Sequence, residues 1–176
     1  TKINEYYPKG IKNYIIMGHS QGGAIAYLLT SYLYYLNKER IPEDVNFKTY
    51  CSAPPKPGNL NYAYDFDYIT RGGFAMRVYN SEDGVPQTPL SVQTLDDFSK
   101  VNPYSDREML MVKMNFIEKL VFDYLTEKLK NKLNSSKDVL NEFFGNMTYK
   151  NSVRKYLPGF PEPRYTEDTY YYPCGV

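Results

Sequence analysis

The chain has 176 residues, with 21 Lys and Arg against 20 Asp and Glu, a balance that leaves no basic surface for nucleic acid and no acidic tail. That length suits one domain with a real core. No run approaches the roughly 18 apolar residues of a membrane span. The 20 Tyr and 9 Phe supply much of the apolar material, so a low mean hydropathy does not mean disorder here.

The opening TKINEYYPKG reads as the end of a helix followed by a turn. With no initiator Met and no secretory pattern there, the gene is expected to start upstream of Thr1. The compartment stays open, secretion or the cell envelope included. Residues 11–17 form a β-prone run after the Lys9-Gly10 turn signal and stop at Gly18. Residues 21–37, QGGAIAYLLTSYLYYLN, are apolar nearly all round and predict a buried helix. A second strand is expected over 45–52 (VNFKTYCS), halted by APPKPGN. A short helix follows over 59–70, ended by Gly72-Gly73, and a third strand over 74–79 (FAMRVY). NSEDGVPQTP is loop by composition.

Further on, Leu110, Met114, Ile117, Val121, Tyr124 and Leu125 recur at helical spacing, predicting a helix over 106–133. Another short helix is expected over 135–144, then Pro-, Tyr- and Gly-rich loop to the end, with a strand beginning at YYYPCGV. Strands alternating with helices argue for an α/β fold with a largely parallel sheet. Cys51 and Cys174 are the two cysteines. Cys51 reads as a small buried hydrophobe and Cys174 as a loop residue, and a disulfide between them is an alternative. Neither cysteine spacing nor a single histidine suits a metal, and no cofactor is implied.

Gly18-His19-Ser20-Gln21-Gly22 fits G-x-S-x-G, the turn that lifts a serine hydroxyl off the end of a strand as a helix begins. Its context is the required one, an apolar strand before and a long apolar helix after. The reason for the spacing is steric: strand and helix backbones are expected to pass too close at Gly18 and Gly22 for a Cβ. The helix start adds partial positive charge, and the N–H of Gln21 is a candidate oxyanion donor. The alternative is a Gly-rich turn with an incidental serine. His19, the single histidine, adjoins the serine, and a residue there points away from it, so it is expected to pack into the scaffold.

These residues resemble the class 3 (fungal-type) lipase family of the α/β-hydrolase superfamily. GHSQGGAIAYLL is similar to that family's nucleophile segment. SAPPKPGN is similar to F-G-x-P-R-V-G-N, matching at Pro55, Gly58 and Asn59 and departing at Ala53, Lys56 and Pro57. RVYNSEDGVPQTP resembles R-V-V-N…D-P-V-P…P, with Gly84 in place of a proline. The likeness spans residues 11–89, about half the chain. It implies an α/β-hydrolase fold, Ser20 as nucleophile and Asp83 as the acid of a catalytic triad. The sequence alone supports Asp83 too, since a loop after a strand can bring a carboxylate to an imidazole at the sheet's edge. An Asp-Gly turn residue is the competing reading of Asp83, and Glu82 the neighbouring alternative.

A serine hydroxyl needs a base, and in this family it is a histidine after the acid. None follows Asp83. The histidine lies beyond Val176, or the protein is a natural pseudoenzyme, or the base was replaced, for instance at Asn151 in NSVRKY. The first is the favoured expectation, with residues 1–176 forming a single hydrolase domain incomplete at both ends. Residues 106–150 would then be a helical insertion or cap, whose Met109, Met111, Met114, Phe116 and Phe122 could line an acyl-chain site. The plainer reading packs that helix on the sheet. The function that follows is hydrolysis of carboxylic esters through an acyl-enzyme, on a small ester or lipid substrate or at a lipid interface. A phospholipase, a thioesterase and an inactive binding or scaffold domain remain as alternatives.

Overall fold

The computed structural model describes residues 2–36, 40–94, 97, 114–165 and 168–175. They form two compact units, Thr1–Leu90 with Tyr171–Val176, and Ser91–Tyr170.

In the first unit a helical turn α1 (Lys2–Tyr6) and a 3₁₀ turn (Tyr7–Lys9) end at Gly10, whose φ of 84° only glycine adopts without strain. Strand β1 (Asn13–His19) follows, then helix α2 (Gln21–Tyr35) and strand β2 (Asn46–Ser52). A two-residue strand β3 (Gly58–Asn59) leads into helix α3 (Leu60–Ile69), capped by the Asn59 side chain on the Tyr62 N–H at 2.9 Å. Strand β4 (Ala75–Val78) completes a three-stranded parallel sheet in the order β1-β2-β4. The predicted elements are therefore present: α2, β2, α3 and β4 are trimmed by one or two residues, while β1 starts two residues later than expected and runs past its expected end through Gly18 to His19. The strand expected at YYYPCGV is β5 (Tyr171–Tyr172), which pairs antiparallel with β3 rather than joining the parallel sheet.

Both crossovers in this sheet run the same way, so right-handed connections put α2 and α3 on one face. The core lies there. Ala26 and Tyr27 of α2 meet Cys51 of β2, Ala63 and Phe66 of α3, Ala75 of β4, and Cys174. The Tyr27 and Phe66 rings meet edge to face at 5.0 Å, and Phe66 is fully buried. The Thr30 and Thr49 hydroxyls satisfy each other beneath them at 2.6 Å. The expectation that α2 is buried all round is corrected. Only Gly23, Ala26, Tyr27 and Thr30 are buried, a single i, i+3, i+4, i+7 stripe, because the sheet touches one side of the helix. On the sheet's other face Ile15, Met17, Met76 and Val78 are exposed.

In the second unit the helix α4 (Phe116–Glu142) starts on a capping box, with Asn115 and Glu118 each bonding the other's backbone N–H. Residues 106–113 of the predicted helix lie outside the described residues. No break separates it from the helix expected over 135–144. The Asn134-Ser135-Ser136 run stays within the helix, with the Ser136 hydroxyl donating back to the Lys132 carbonyl at 3.0 Å. Two π-helical turns, Phe143–Met147 and Tyr149–Val153, continue the chain. Gly145 is buried against the Tyr165 ring, where a Cβ would come within 3.2 Å. None of α4 is fully buried, and Phe116, Ile117, Leu120, Val121 and Tyr124 are exposed. No helix among the described residues is long and apolar enough to cross a membrane.

Cys51 and Cys174 are free and both buried. The Cys51 thiol points at the Gly23 carbonyl at 3.3 Å, and the Tyr27 hydroxyl donates to the Cys174 carbonyl at 2.9 Å. Burial pushes the Cys51 thiol up to about 11 from its ordinary 9.0, and raises Cys174 as well. An unfolded chain releases these protons first. The stability the buried Cys51 thiol contributes is whole below pH 9 and is lost as pH rises through about 11.

Two outcomes are expected. Phe66→Ala should cost about 3–5 kcal/mol in urea unfolding at neutral pH, because it empties the space between Tyr27 and Tyr62. The urea midpoint should fall between pH 9 and 11, and less steeply in Cys51→Ala.

Candidate active site

The site is built where β1 turns into α2. Ser20 stands between them at φ 54° and ψ −126°, a conformation L-residues avoid and which persists only when its surroundings impose it. The surroundings are three backbone contacts. The Ser20 N–H donates to the Ser52 carbonyl at 2.8 Å, extending the β1–β2 ladder by one step. The Ser20 carbonyl accepts from the N–H groups of Gly23 and Ala24 at 2.8 and 3.3 Å, which starts the helix. The Ser20 side chain makes no cap hydrogen bond to α2, so its hydroxyl is not spent on the helix end.

Gly18 makes the corner possible. A Cβ there would lie 2.0 Å from the Gly22 carbonyl oxygen and 2.7 Å from the Gly23 nitrogen. The matching expectation for Gly22 is corrected, since a Cβ on Gly22 meets nothing within 4 Å. The second close approach falls one residue later, where a Cβ on Gly23 would strike the Pro54 Cβ at 2.8 Å. Gln21 is the first residue of α2, so its N–H has no intrahelical acceptor and lies at the positive end of the helix.

Parallel strands end on one edge, and the three motifs meet there. β1 ends at Ser20 and β2 at Ser52-Ala53, whose Ala53 N–H donates to the Val78 carbonyl of β4 at 2.7 Å. Beyond β4, residues 80–83 form a turn in which the Asp83 N–H donates to the Asn80 carbonyl at 3.0 Å. Asp83 Oδ1 accepts from the Val85 N–H at 2.9 Å, an Asx turn that orients the carboxylate. Glu82 is exposed, and its N–H is held by Asn80 Oδ1 at 3.0 Å. Ser20 and Asp83 thus follow β1 and β4, the strands on either side of β2. Asn151 lies in the π-helical turn of the second unit.

His19 departs from expectation. It is exposed rather than packed, on the same strand face as Ile15 and Met17, and its Nδ1 lies 2.9 Å from Ser52 Oγ. Those two residues border an apolar depression of about 360 Å³ on the open face of the sheet. A larger hollow of about 720 Å³ lies at the opposite ends of the strands, by Asn46 and Phe74, away from Ser20. Sequence reading missed two features. One is the His19–Ser52 pair. The other is Ala53, which holds φ 46° at the position where the lipase pattern carries glycine. That departure from the pattern was the available signal.

These geometries have separable consequences for stability. Gly18→Ala should cost more than about 3 kcal/mol, because the clash is with backbone, while Gly22→Ala should leave stability within about 0.5 kcal/mol. Ala53→Gly should raise stability by about 0.5–1 kcal/mol by relieving a left-handed residue, as read by chemical denaturation.

The family model described as Lipase (class 3) matches residues 2–93. Among solved structures, the crystal structure of M37 lipase is similar at 28% sequence identity and a TM-score of 0.45, over 54% of this chain and 26% of that one. The chain thus spans about a quarter of the length of that lipase. No curated protein matches it. With the family match extending over more than half of its residues, the chain belongs to the class 3 lipase family.

Proposed function

We propose that this protein is a lipase-like serine hydrolase that cleaves carboxylic esters through an acyl-enzyme on Ser20. The observation that carries the reading is the corner itself. A serine at φ 54°, with its hydroxyl unspent on the helix end, sits beside the unbonded first turn of α2. Attack by Ser20 Oγ on the ester carbonyl would form the Oγ–C bond and push charge onto the carbonyl oxygen. The Gln21 N–H and the positive helix end stabilise that oxyanion. As the intermediate collapses, the alcohol leaves and takes a proton. Water then attacks the acyl-serine and releases the acid.

The proton traffic requires an imidazole, and Asp83 is the group that would fix its orientation and stabilise its charged form. No histidine follows Asp83 in these residues. Residues 1–176 on their own are therefore expected to show little esterase activity. In this reading Thr1–Leu90 supplies the nucleophile and acid of an α/β-hydrolase fold, and residues 106–150 form a helical insertion or cap. The exposed apolar residues at the start of α4 are compatible with contact to acyl chains.

One other reading is an inactive binding or scaffold domain of the same family. Labelling of the complete gene product with a fluorophosphonate probe separates the two. The hydrolase reading expects label on Ser20, none in Ser20→Ala, and kcat lowered on the order of 10³–10⁴-fold in Asp83→Asn. A complete product in which Ser20 stays unlabelled would sink it.

A further inference from the structure

We propose that Ser52 is a positioning residue for the nucleophile corner and acts through His19. The proposal rests on Ser20 being the nucleophile and adds how its strained backbone is held. His19 and Ser52 are the last residues of β1 and β2 and are direct partners in the parallel register. Two bonds converge on Ser52 from consecutive residues of β1 and the corner. Its carbonyl accepts the Ser20 N–H at 2.8 Å, and its hydroxyl meets His19 Nδ1 at 2.9 Å. The first bond belongs to the backbone and would exist with any residue at position 52. The second exists only because a hydroxyl faces an imidazole across the strand pair.

The second bond matters because of what lies on either side of it. Ser20 holds φ 54° and Ala53 holds φ 46°, so the residues after both strand ends are in left-handed space without being glycine. Such residues relax unless their neighbours over-determine them. On the helix side, the Gly23 and Ala24 N–H groups hold the Ser20 carbonyl, and the close passage of Gly18 past Gly22 limits the corner sterically. On the sheet side, the His19–Ser52 contact ties the two strand ends together one residue before each strained position. Breaking it leaves the backbone ladder alone to hold the two strand ends, and the direction of the Ser20 hydroxyl is then less sharply fixed. A misdirected nucleophile loses rate without losing substrate affinity. Since both side chains are exposed, the bond is of ordinary strength. Its loss should slow reaction about 3- to 10-fold rather than abolish it.

The test uses the complete gene product, with Ser52→Ala, Ser52→Thr and His19→Ala. Ser52→Ala and His19→Ala should slow phosphonylation of Ser20 by about 3- to 10-fold with the probe's binding constant unchanged, while Ser52→Thr, which keeps the hydroxyl, restores the rate. His19 is the single histidine of these residues. Its imidazole nitrogen resonances, assigned by comparison with His19→Ala, should therefore shift in Ser52→Ala and not in Ser52→Thr. The proposal is overturned if Ser52→Ala reacts at the parent rate, if the loss matches only a lower folded fraction, if Ser52→Thr does not recover, or if the probe is found on Ser52 itself. Failure of the underlying reading looks different, because then the parent protein carries no label on Ser20 at all.

Discussion

One backbone contact decides where everything else in the first unit can go. Where β1 becomes α2, the strand passes the helix so closely that a single methyl on Gly18 would sit 2.0 Å from a carbonyl oxygen of the helix. That proximity fixes the angle at which α2 leaves the sheet, and the angle selects the stripe of α2 that meets it. Gly23 comes against Pro54 at the top, Ala26 and Tyr27 enter the core, and Thr30 reaches Thr49 lower down. A helix leaving at another angle would bring the exposed Ile25 or Leu28 to the sheet instead. The same corner holds Ser20 off the helix end. Helix packing and the presentation of Ser20 therefore share one geometric origin, and a change at Gly18 would disturb both together.

The strand edge shows how that origin is propagated. Each strand end hands a hydrogen bond to the next beyond the regular ladder, Ser20 to the Ser52 carbonyl and Ala53 to the Val78 carbonyl. Two non-glycine residues with positive φ sit along this edge. Strain of this kind costs on the order of 1–3 kcal/mol per residue and is retained where a fixed direction is worth that cost. At the opposite ends of the strands, where the larger hollow lies, the described residues include no such residue.

Much of this was legible in the sequence, for identifiable reasons. Short β-prone runs, Gly punctuation and G-x-S-x-G are local signals, and they located β1, α2, β2, α3 and β4 within a few residues. What was not legible depends on neighbours. An apolar sequence all round α2 does not reveal that the sheet covers one side of it. Asn134, Ser135 and Ser136 look like a helix break, yet α4 runs through them with the Ser136 hydroxyl on the Lys132 carbonyl. Gly22 fits the motif, yet the close approach belongs to Gly23, because the position of Pro54 is set by β2 and not by the motif. The contact between His19 and Ser52 joins residues 33 apart in sequence and exists only in the parallel register.

Asp83 presents the last question, because its bond to the Val85 N–H is what an ordinary Asx turn would make. A turn role and a catalytic role do not compete for the same atoms. A carboxylate offers two oxygens and about four lone-pair directions, and the turn uses one of them. An acid whose task is to orient an imidazole must itself be oriented. A bond from a backbone N–H to Oδ1 does this at no cost in side-chain freedom beyond what the turn already requires. Glu82 differs in its side chain, which is one carbon longer and exposed, while the backbone N–H groups of both residues are held by Asn80. In the proposed mechanism the turn therefore suits Asp83 better than Glu82 as the acid, and a turn role is compatible with that proposal rather than opposed to it.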